Sequence, residues 1–195
     1  RKKLPLSDLI RGKSGRNLLQ VMLLATGFWL TQNIITIFVP TVLLVRWLHL
    51  TGFQMTSTLL ITYTLLFFSY IGSGMLGQKI GRRRFFIIIG PIIATVGAAL
   101  LYVLANVDGL SLPAIILLVC ALAVIVTSPW GVIMTYINER FVTDFRATGF
   151  GVGLSFSIII PSFYAFYMNW LGLIMPLHVT PVALLCLGGL IGMVG

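Results

Sequence analysis

The chain has 195 residues, of which 58% are hydrophobic and only 9% are charged, and its mean hydropathy is +1.06. Soluble domains carry about 25% charged residues, so this composition excludes an ordinary soluble domain and predicts an integral membrane protein. The formal net charge is +9, but the cations lie in the N-terminal segment and in loops outside the apolar runs, which argues against a nucleic-acid surface. Cys120 and Cys186 lie inside apolar runs, so no disulfide framework is expected.

Residues 1–16 form a basic segment that we expect in the cytoplasm, ahead of a transmembrane domain over residues 17–195. Leu6, Leu9 and Ile10 recur at helical spacing, which is typical of a short amphipathic helix on the membrane surface. A disordered basic linker explains the same charges equally well. The chain begins without Met and ends inside an apolar run, so we expect either a fragment of a longer protein or a chain whose ends were trimmed.

Six apolar runs follow, and each predicts a helix that crosses the membrane, since a crossing needs about 20 apolar residues. The runs cover Leu18–Val45, Met55–Leu76, Phe85–Leu104, Pro113–Ile137, Thr148–Trp170 and the residues from Val179 onward. Kinks or local unwinding are predicted at Gly90-Pro91, Pro129-Trp130-Gly131 and Pro161. We therefore predict an all-α membrane protein with six transmembrane helices.

The cations predict the orientation of these helices. Of the 13 Lys and Arg residues, twelve lie in the N-terminal segment or in the second and fourth loops, and only Arg46 lies elsewhere. The positive-inside rule therefore places both ends of the chain, together with those two loops, in the cytoplasm of a multi-pass cell (inner) membrane protein. The basic segments alternate with loops that carry almost no cations, and a different number of crossings would not give this alternation.

Glycines that stand four residues apart predict close helix packing, because small residues let membrane helices approach each other. Three such pairs are present: Gly77 with Gly81, Gly149 with Gly153, and Gly188 with Gly192. Packing is the favoured interpretation, since glycine is common in membrane helices.

The chain offers no catalytic constellation, and we expect neither enzymatic activity nor a metal or cofactor. All four acids, Asp8, Asp108, Glu139 and Asp144, lie outside the predicted helices. His49 and His178 fall near the non-cytoplasmic surface. A nucleophile–base pair or a metal cluster within the membrane is therefore not available.

A polar stripe on the first helix is the candidate substrate site. Thr26, Trp29, Gln32, Asn33 and Thr36 fall on one helical face. Amides in mid-membrane should face protein or a watery cavity, so two alternatives stay open, substrate contact and hydrogen bonding between helices. Near the break predicted in the fourth helix, Trp130 and Tyr136 are further candidates for the cavity wall.

The second loop carries the most specific motif. It reads Gly74-Met75-Leu76-Gly77-Gln78-Lys79-Ile80-Gly81-Arg82-Arg83 and resembles the Gly-x-x-x-Asp-Arg-x-Gly-Arg-Arg signature of the major facilitator superfamily. Gln78 replaces the usual acid and Lys79 the usual arginine. The fourth loop, from Glu139 to Gly149, resembles the Glu-x-Phe-Pro-Thr-x-x-Arg-x-x-Gly pattern of metabolite porters in that superfamily, with Val142 at the proline position.

This resemblance implies a fold and a function. Members of the superfamily have twelve helices in two halves. The basic leader and Gln78 make the C-terminal half the better match. The closest subgroup is the metabolite–proton symporters. The implied function is secondary active transport of a small metabolite by alternating access, in the lipid bilayer, with a missing N-terminal half and with proton coupling left open. The alternative is a non-transporting membrane scaffold or a defective half-transporter.

The same resemblance implies a cytoplasmic gate, in which arginines meet carboxylates when the inner side is closed. Glu139 is a candidate partner for Arg82 or Arg83, and Arg146 for an acid of the other half. Plain anchoring of the loops by their charges is the alternative. The gating residues implied in this way are Gly74, Gln78, Lys79, Gly81, Arg82, Arg83, Glu139 and Arg146.

Overall fold

A computed structural model of the chain describes residue 10 and residues 12–107, 109–144 and 146–195. Within these ranges the regular structure is entirely helical, with no strand. The helices run, in chain order, as α1 Gly12–Trp47, α2 Gly52–Ile80, α3 Arg82–Asn106, α4 Leu112–Arg140, α5 Arg146–Leu171 and α6 Thr180–Val194.

The first five helices are long and apolar enough to cross a membrane, with mean hydropathies between 1.6 and 2.5. Helix α6 is equally apolar, but its 15 residues are fewer than the roughly 20 that an ideal crossing needs. The prediction of an all-helical, membrane-embedded protein is thus confirmed. Five of the six predicted crossings correspond to helices of full length.

Helix α1 begins at Gly12, inside residues 1–16, for which the sequence predicts a basic linker. Lys13 and Arg16 therefore stand on the first turns of a helix that continues into the apolar region. The boundary predicted after residue 16 falls within α1. The choice between a surface helix and a disordered linker concerns residues 1–9 and 11, which lie outside the described residues.

Proline interrupts four of the helices, because it has no N–H for the helical hydrogen bond and its ring crowds the preceding turn. The breaks predicted around Pro91, Pro129 and Pro161 are confirmed. The interruptions are a π-helical turn at Ile93–Gly97 in α3, a break at Ser128 and Pro129 in α4, and breaks at Ile158 and Phe163 in α5. A fourth irregularity, the π-helical segment Ile34–Trp47 around Pro40, was not predicted.

Glycines hold α6 tightly between α1 and α3. A Cβ atom added to Gly27 of α1 would lie 2.6 Å from the carbonyl oxygen of Gly188 and would also overlap the backbone nitrogen of Gly192. On the other side, a Cβ on Gly90 of α3 would lie 2.7 Å from the carbonyl oxygen of Gly189. The packing role predicted for Gly188 and Gly192 is confirmed.

In the other two predicted glycine pairs, three of the four glycines pack against a neighbouring side chain and one does not. Gly77 packs against Val132 of α4, Gly149 against Phe141, and Gly153 against Val21 of α1. Gly81 packs against nothing among the described residues and has a φ of +92°, a backbone conformation that glycine adopts without strain. The packing prediction is therefore wrong for Gly81, which forms the turn between α2 and α3.

Helices α1 and α4 lie at the centre of the bundle, whereas α2 and α5 expose most of their surface. About half of the most apolar stretch of α1 and of α4 is buried, but only 17% for α2 and 22% for α5. Phe67 and Phe68 of α2 and Phe166 and Trp170 of α5 are among the exposed side chains. These faces suit contact with lipid or with another helical unit.

Candidate functional site

Two tryptophans meet at the break in α4. Trp130 is the first residue of the second half of α4, and its ring lies 4.5 Å from that of Trp29 on α1, centroid to centroid, in an edge-to-face arrangement. Pro129 has no N–H to give to the carbonyl of Ile125, and the hydroxyl of Ser128 donates to that carbonyl over 3.0 Å instead. The carbonyl of Ile125 at the break is therefore hydrogen-bonded. The break itself lies next to the two indole rings.

Three polar side-chain atoms on these parts of α1 and α4 have no hydrogen-bond partner in the described part of the chain. Trp29 Nε1, Trp130 Nε1 and Gln32 Oε1 are all buried, and none forms a hydrogen bond with any described residue. Gln32 stands three residues after Trp29, on the same helical face. Leaving a buried polar group unpaired costs roughly 1–3 kcal/mol, which makes these three atoms candidates for binding a ligand. We call Trp29, Gln32 and Trp130 the indole–amide cluster.

The rest of the polar stripe on α1 is occupied. Asn33 donates its side-chain N–H to the carbonyl of Pro161 in α5 over 2.9 Å, and Thr26 donates to the carbonyl of Ser157 over 3.2 Å. Thr36 is exposed and donates to the carbonyl of Gln32 in its own helix. Of the two alternatives that the sequence left open, hydrogen bonding between helices describes Thr26 and Asn33.

Tyr136, the remaining candidate for the cavity wall, lies in a different environment. It is buried, its ring packs edge-to-face on Phe86 of α3 at 5.1 Å, and the guanidinium carbon of Arg140 lies 5.0 Å from its ring centroid. This arrangement belongs to the core near the second and fourth loops. The structure does not bring Tyr136 to the indole–amide cluster.

Among the described residues, the second and fourth loops meet through one pair of charges. Arg82, the first residue of α3, forms an ion pair with Glu139 in the last turn of α4, through Nη1 and Oε2. The contact lacks the geometry of a hydrogen bond at Nη1. The Arg82 side chain is 20% exposed and that of Glu139 58%. Of the two arginines considered as partners for Glu139, the structure pairs Arg82.

The other residues of the two loop motifs are spread over the surface at this end. Gln78 and Lys79 are exposed on the last turns of α2, and Arg146 is exposed at the start of α5. Arg83 is exposed as well and forms no ion pair with a described residue. Gly74 lies close to the backbone of Gly131. A Cβ atom added to Gly74 would lie 3.4 Å from the carbonyl oxygen of Gly131.

A hydrogen-bond network between α1 and α4 was missed by the sequence analysis. Arg140 donates through Nη2 to the side-chain oxygen of Gln20 over 2.8 Å, and Asn17 donates to the backbone carbonyl of Arg140 over 2.8 Å. Asn17 and Gln20 stand three residues apart among apolar neighbours, which is the signal that could have revealed the network. In the sequence alone, Arg140 is only one of the cations that mark the fourth loop.

The thiols and acids of the described residues form no metal site, since no three His, Cys, Asp or Glu side chains among them lie close together. Cys120 is buried, with its sulfur 3.4 Å from the hydroxyl of Thr62 on α2. Cys186 donates to the carbonyl of Ala94 over 3.0 Å. Both thiols are thus held between helices.

Comparison of the chain with protein-family models, with curated proteins and with solved structures gave no match. A proposal about function therefore depends on the residues of the chain itself. The features that bear on it are the two loop motifs, the broken helix α4 and the indole–amide cluster.

Proposed function

We propose that the chain is a six-helix half of a secondary active transporter of the major facilitator type, which moves a small metabolite by alternating access. The observation that carries the proposal is the indole–amide cluster, whose three buried polar atoms have no protein partner among the described residues. Transporters place their substrate sites near the membrane midplane, where interrupted helices expose groups that can bind. Trp130 meets this description, because it directly follows the break in α4.

The chemistry of the cluster suggests the kind of substrate. Two indole N–H groups donate hydrogen bonds, an amide both donates and accepts, and the indole faces supply apolar contact. No charged side chain lies on α1 between Arg16 and Arg46. The site therefore suits a small metabolite that carries oxygen acceptors next to an apolar surface. If transport is coupled to protons, the titratable acid belongs to the other half.

Other features of the chain have roles outside this site in the proposed transporter. The Arg82–Glu139 ion pair acts as the cytoplasmic gate, formed in one state of the transporter and broken in the other. The exposed apolar faces of α2 and α5 contact lipid and the N-terminal half. Both ends of the chain lie in the cytoplasm, and the protein resides in the cell (inner) membrane.

Cysteine accessibility tests the proposal without knowledge of the substrate. In cells that express the protein with Cys120 and Cys186 replaced by Ala, Gln32→Cys should react with a water-soluble, membrane-impermeant thiosulfonate, because a substrate cavity admits water to mid-membrane. The matched control is Val96→Cys. Val96 lies in the middle of α3 and is 46% exposed on the outside of the bundle, where a thiol in lipid neither ionises nor meets the reagent.

The two outcomes separate the two candidate functions. Reaction at Gln32→Cys with an inert Val96→Cys supports a cavity that opens to water. If Gln32→Cys is as inert as Val96→Cys, the cluster is sealed, and the chain is better described as a non-transporting membrane module.

A further inference from the structure

A basic basin of about 360 Å³ opens at the end of the bundle where α1 and α3 begin and α4 ends. Its lining residues are Lys13, Arg16, Asn17, Gln20, Arg83 and Arg140. Four of the six are cations, two are amides, and none is acidic. Three helices that are distant in sequence thus direct positive charge to one place.

The structure holds the floor of the basin in position. Arg140 is fixed by its hydrogen bond to Gln20 and by its position over the ring of Tyr136, and Asn17 binds its backbone carbonyl. The Nε atom of Arg140 is buried and has no hydrogen-bond partner among the described residues. A guanidinium that is held in this way keeps donors available without further loss of conformational freedom.

Nothing nearby in the described chain neutralises this charge. Glu139 is the nearest acid in sequence to Arg140, and it pairs with Arg82. Arg83 stands in the first turn of α3, whose start has no side-chain cap, so the unpaired backbone N–H groups there add to the positive potential. Bringing four like charges together is unfavourable unless an anion occupies the space between them.

We propose that this basin binds a phosphate group of net negative charge, carried either by the headgroup of an anionic lipid or by a soluble phosphate. Arginine guanidinium groups bind phosphate oxygens through paired, charge-assisted hydrogen bonds, and lysine adds a point charge. Basic pockets between helix ends on the cytoplasmic side suit anionic headgroups, because the phosphates of the inner leaflet lie at the same depth. The site is distinct from the indole–amide cluster and does not depend on transport.

The experiment compares ligands that share the phosphate but differ in source. The purified chain in a neutral detergent is titrated with short-chain phosphatidylglycerol, with short-chain phosphatidylcholine and with inorganic phosphate. Its thermal unfolding midpoint is recorded at each concentration, since a ligand that binds only the folded state raises that midpoint. We expect a saturable rise with phosphatidylglycerol that phosphatidylcholine does not produce.

Two matched pairs of variants test the site itself. Arg83→Gln and Arg84→Gln remove the same charge from consecutive exposed residues, and only Arg83 lines the basin. Arg16→Gln and Arg46→Gln each remove one positive charge, at opposite ends of α1, and only Arg16 lines the basin. Each basin variant should weaken binding roughly tenfold, the loss expected for one charge-assisted contact, while Arg84→Gln and Arg46→Gln bind as the parent chain does.

The ligand arms identify the source of the phosphate. Binding of phosphatidylglycerol alone assigns the basin to a lipid headgroup, and equal binding of inorganic phosphate assigns it to a soluble phosphate. The proposal is overturned if neither ligand raises the unfolding midpoint more than phosphatidylcholine does. It is also overturned if all four variants weaken binding equally, because that result describes general attraction to a basic surface.

Discussion

Thr26 of α1 donates its hydroxyl to the backbone carbonyl of Ser157 in α5, over 3.2 Å. That carbonyl would ordinarily accept from the N–H four residues later, but the residue there is Pro161, which has none. Thr26 therefore replaces the hydrogen bond that the proline removes. A side chain from a neighbouring helix satisfies the interrupted helix and ties the two together.

A double-mutant cycle tests this relationship. Thr26→Val should lower the free energy of unfolding by roughly 0.6 kcal/mol, the average for hydrogen bonds between membrane helices, and by no more than about 1.7 kcal/mol, the largest value found. Pro161→Ala restores an N–H that can donate to Ser157, so Thr26→Val should change stability much less when it is added to Pro161→Ala. The measurement is the free energy of unfolding in mixed detergent for the parent, both single variants and the double variant.

Thr64→Val is the control for this cycle. Thr64 is exposed on α2 and donates to Leu60 in its own helix, so its removal should change stability little. If the effects of Thr26→Val and Pro161→Ala are simply additive, the hydroxyl does not replace the missing N–H.

The contact between α1 and α6 gives a second prediction. Gly27→Ala places a methyl group against the backbone of Gly188 and Gly192, which cannot move aside as a flexible side chain can. We expect it to lower the free energy of unfolding by roughly 1–3 kcal/mol, the usual effect of overpacking. Thermal unfolding in detergent measures the change.

Gly72→Ala is the matched control, since Gly72 is exposed within α2 and a Cβ there meets nothing in the described structure within 4 Å. Because alanine has the higher helix propensity, this change should be neutral or slightly stabilising. Equal destabilisation by both substitutions would show that glycine is needed for reasons other than the close approach of α1 and α6.

The parts of the fold that depend on local chemistry could be predicted from the sequence. The helical regions follow from apolar runs, and the breaks near Pro91, Pro129 and Pro161 follow from the missing N–H of proline. The π-helical segment around Pro40 shows the limit of this reasoning. Proline indicates that the helix must adjust, but the neighbouring helices decide whether it breaks or widens.

The candidate site could be predicted only in part. Whether a polar side chain of α1 is paired depends on which groups the neighbouring helices place beside it, and the sequence of α1 does not contain that information. Gln32 and Asn33 are adjacent residues that carry the same amide group. Asn33 meets the carbonyl of Pro161, whereas Gln32 meets no partner among the described residues. The basic basin was missed for the same reason, since Arg16, Arg83 and Arg140 come together only when three helices pack.

The ion pair between the second and fourth loops gives a prediction about the opening of the proposed gate. If Arg82 and Glu139 hold the cytoplasmic side closed, Arg82→Gln should increase the rate at which Gln32→Cys is modified from the cytoplasm. The pair is partly exposed, and such pairs contribute roughly 0.2–1 kcal/mol, so the increase should be no more than several-fold. The rate is measured with the impermeant thiosulfonate on inside-out membrane vesicles.

Two further variants sharpen this test. Glu139→Gln should act in the same direction as Arg82→Gln, and the double variant should add little to either, because each single change already removes the pair. Arg84→Gln removes a charge from the same loop outside the pair and should leave the rate unchanged. A faster rate with Arg84→Gln as well would favour plain anchoring of the loop by its charges.

Topology gives the next prediction. Lys79→Cys and Arg146→Cys should be labelled from the cytoplasm, and Arg46→Cys from the opposite side, because positively charged loops stay inside. Arg46 and Lys79 are exposed and lie near opposite ends of α2, so the two reactions report on one crossing. Labelling of Arg46→Cys and Lys79→Cys from the same side would mean that α2 does not cross the membrane.

The last prediction separates the two amides of α1. Asn33→Ala removes a hydrogen bond to α5. It should lower the unfolding midpoint and reduce the free energy of unfolding by roughly 0.6 kcal/mol, and by no more than about 1.7 kcal/mol. Gln32→Ala removes a side-chain oxygen that has no partner among the described residues, so it should leave the midpoint unchanged or raise it. If the chain is half of a transporter, as proposed, the order reverses in the two-half protein, and Gln32→Ala should raise the KM for uptake more than Asn33→Ala does. Equal stability losses with unchanged uptake would assign both amides to helix packing and remove Gln32 from the substrate site.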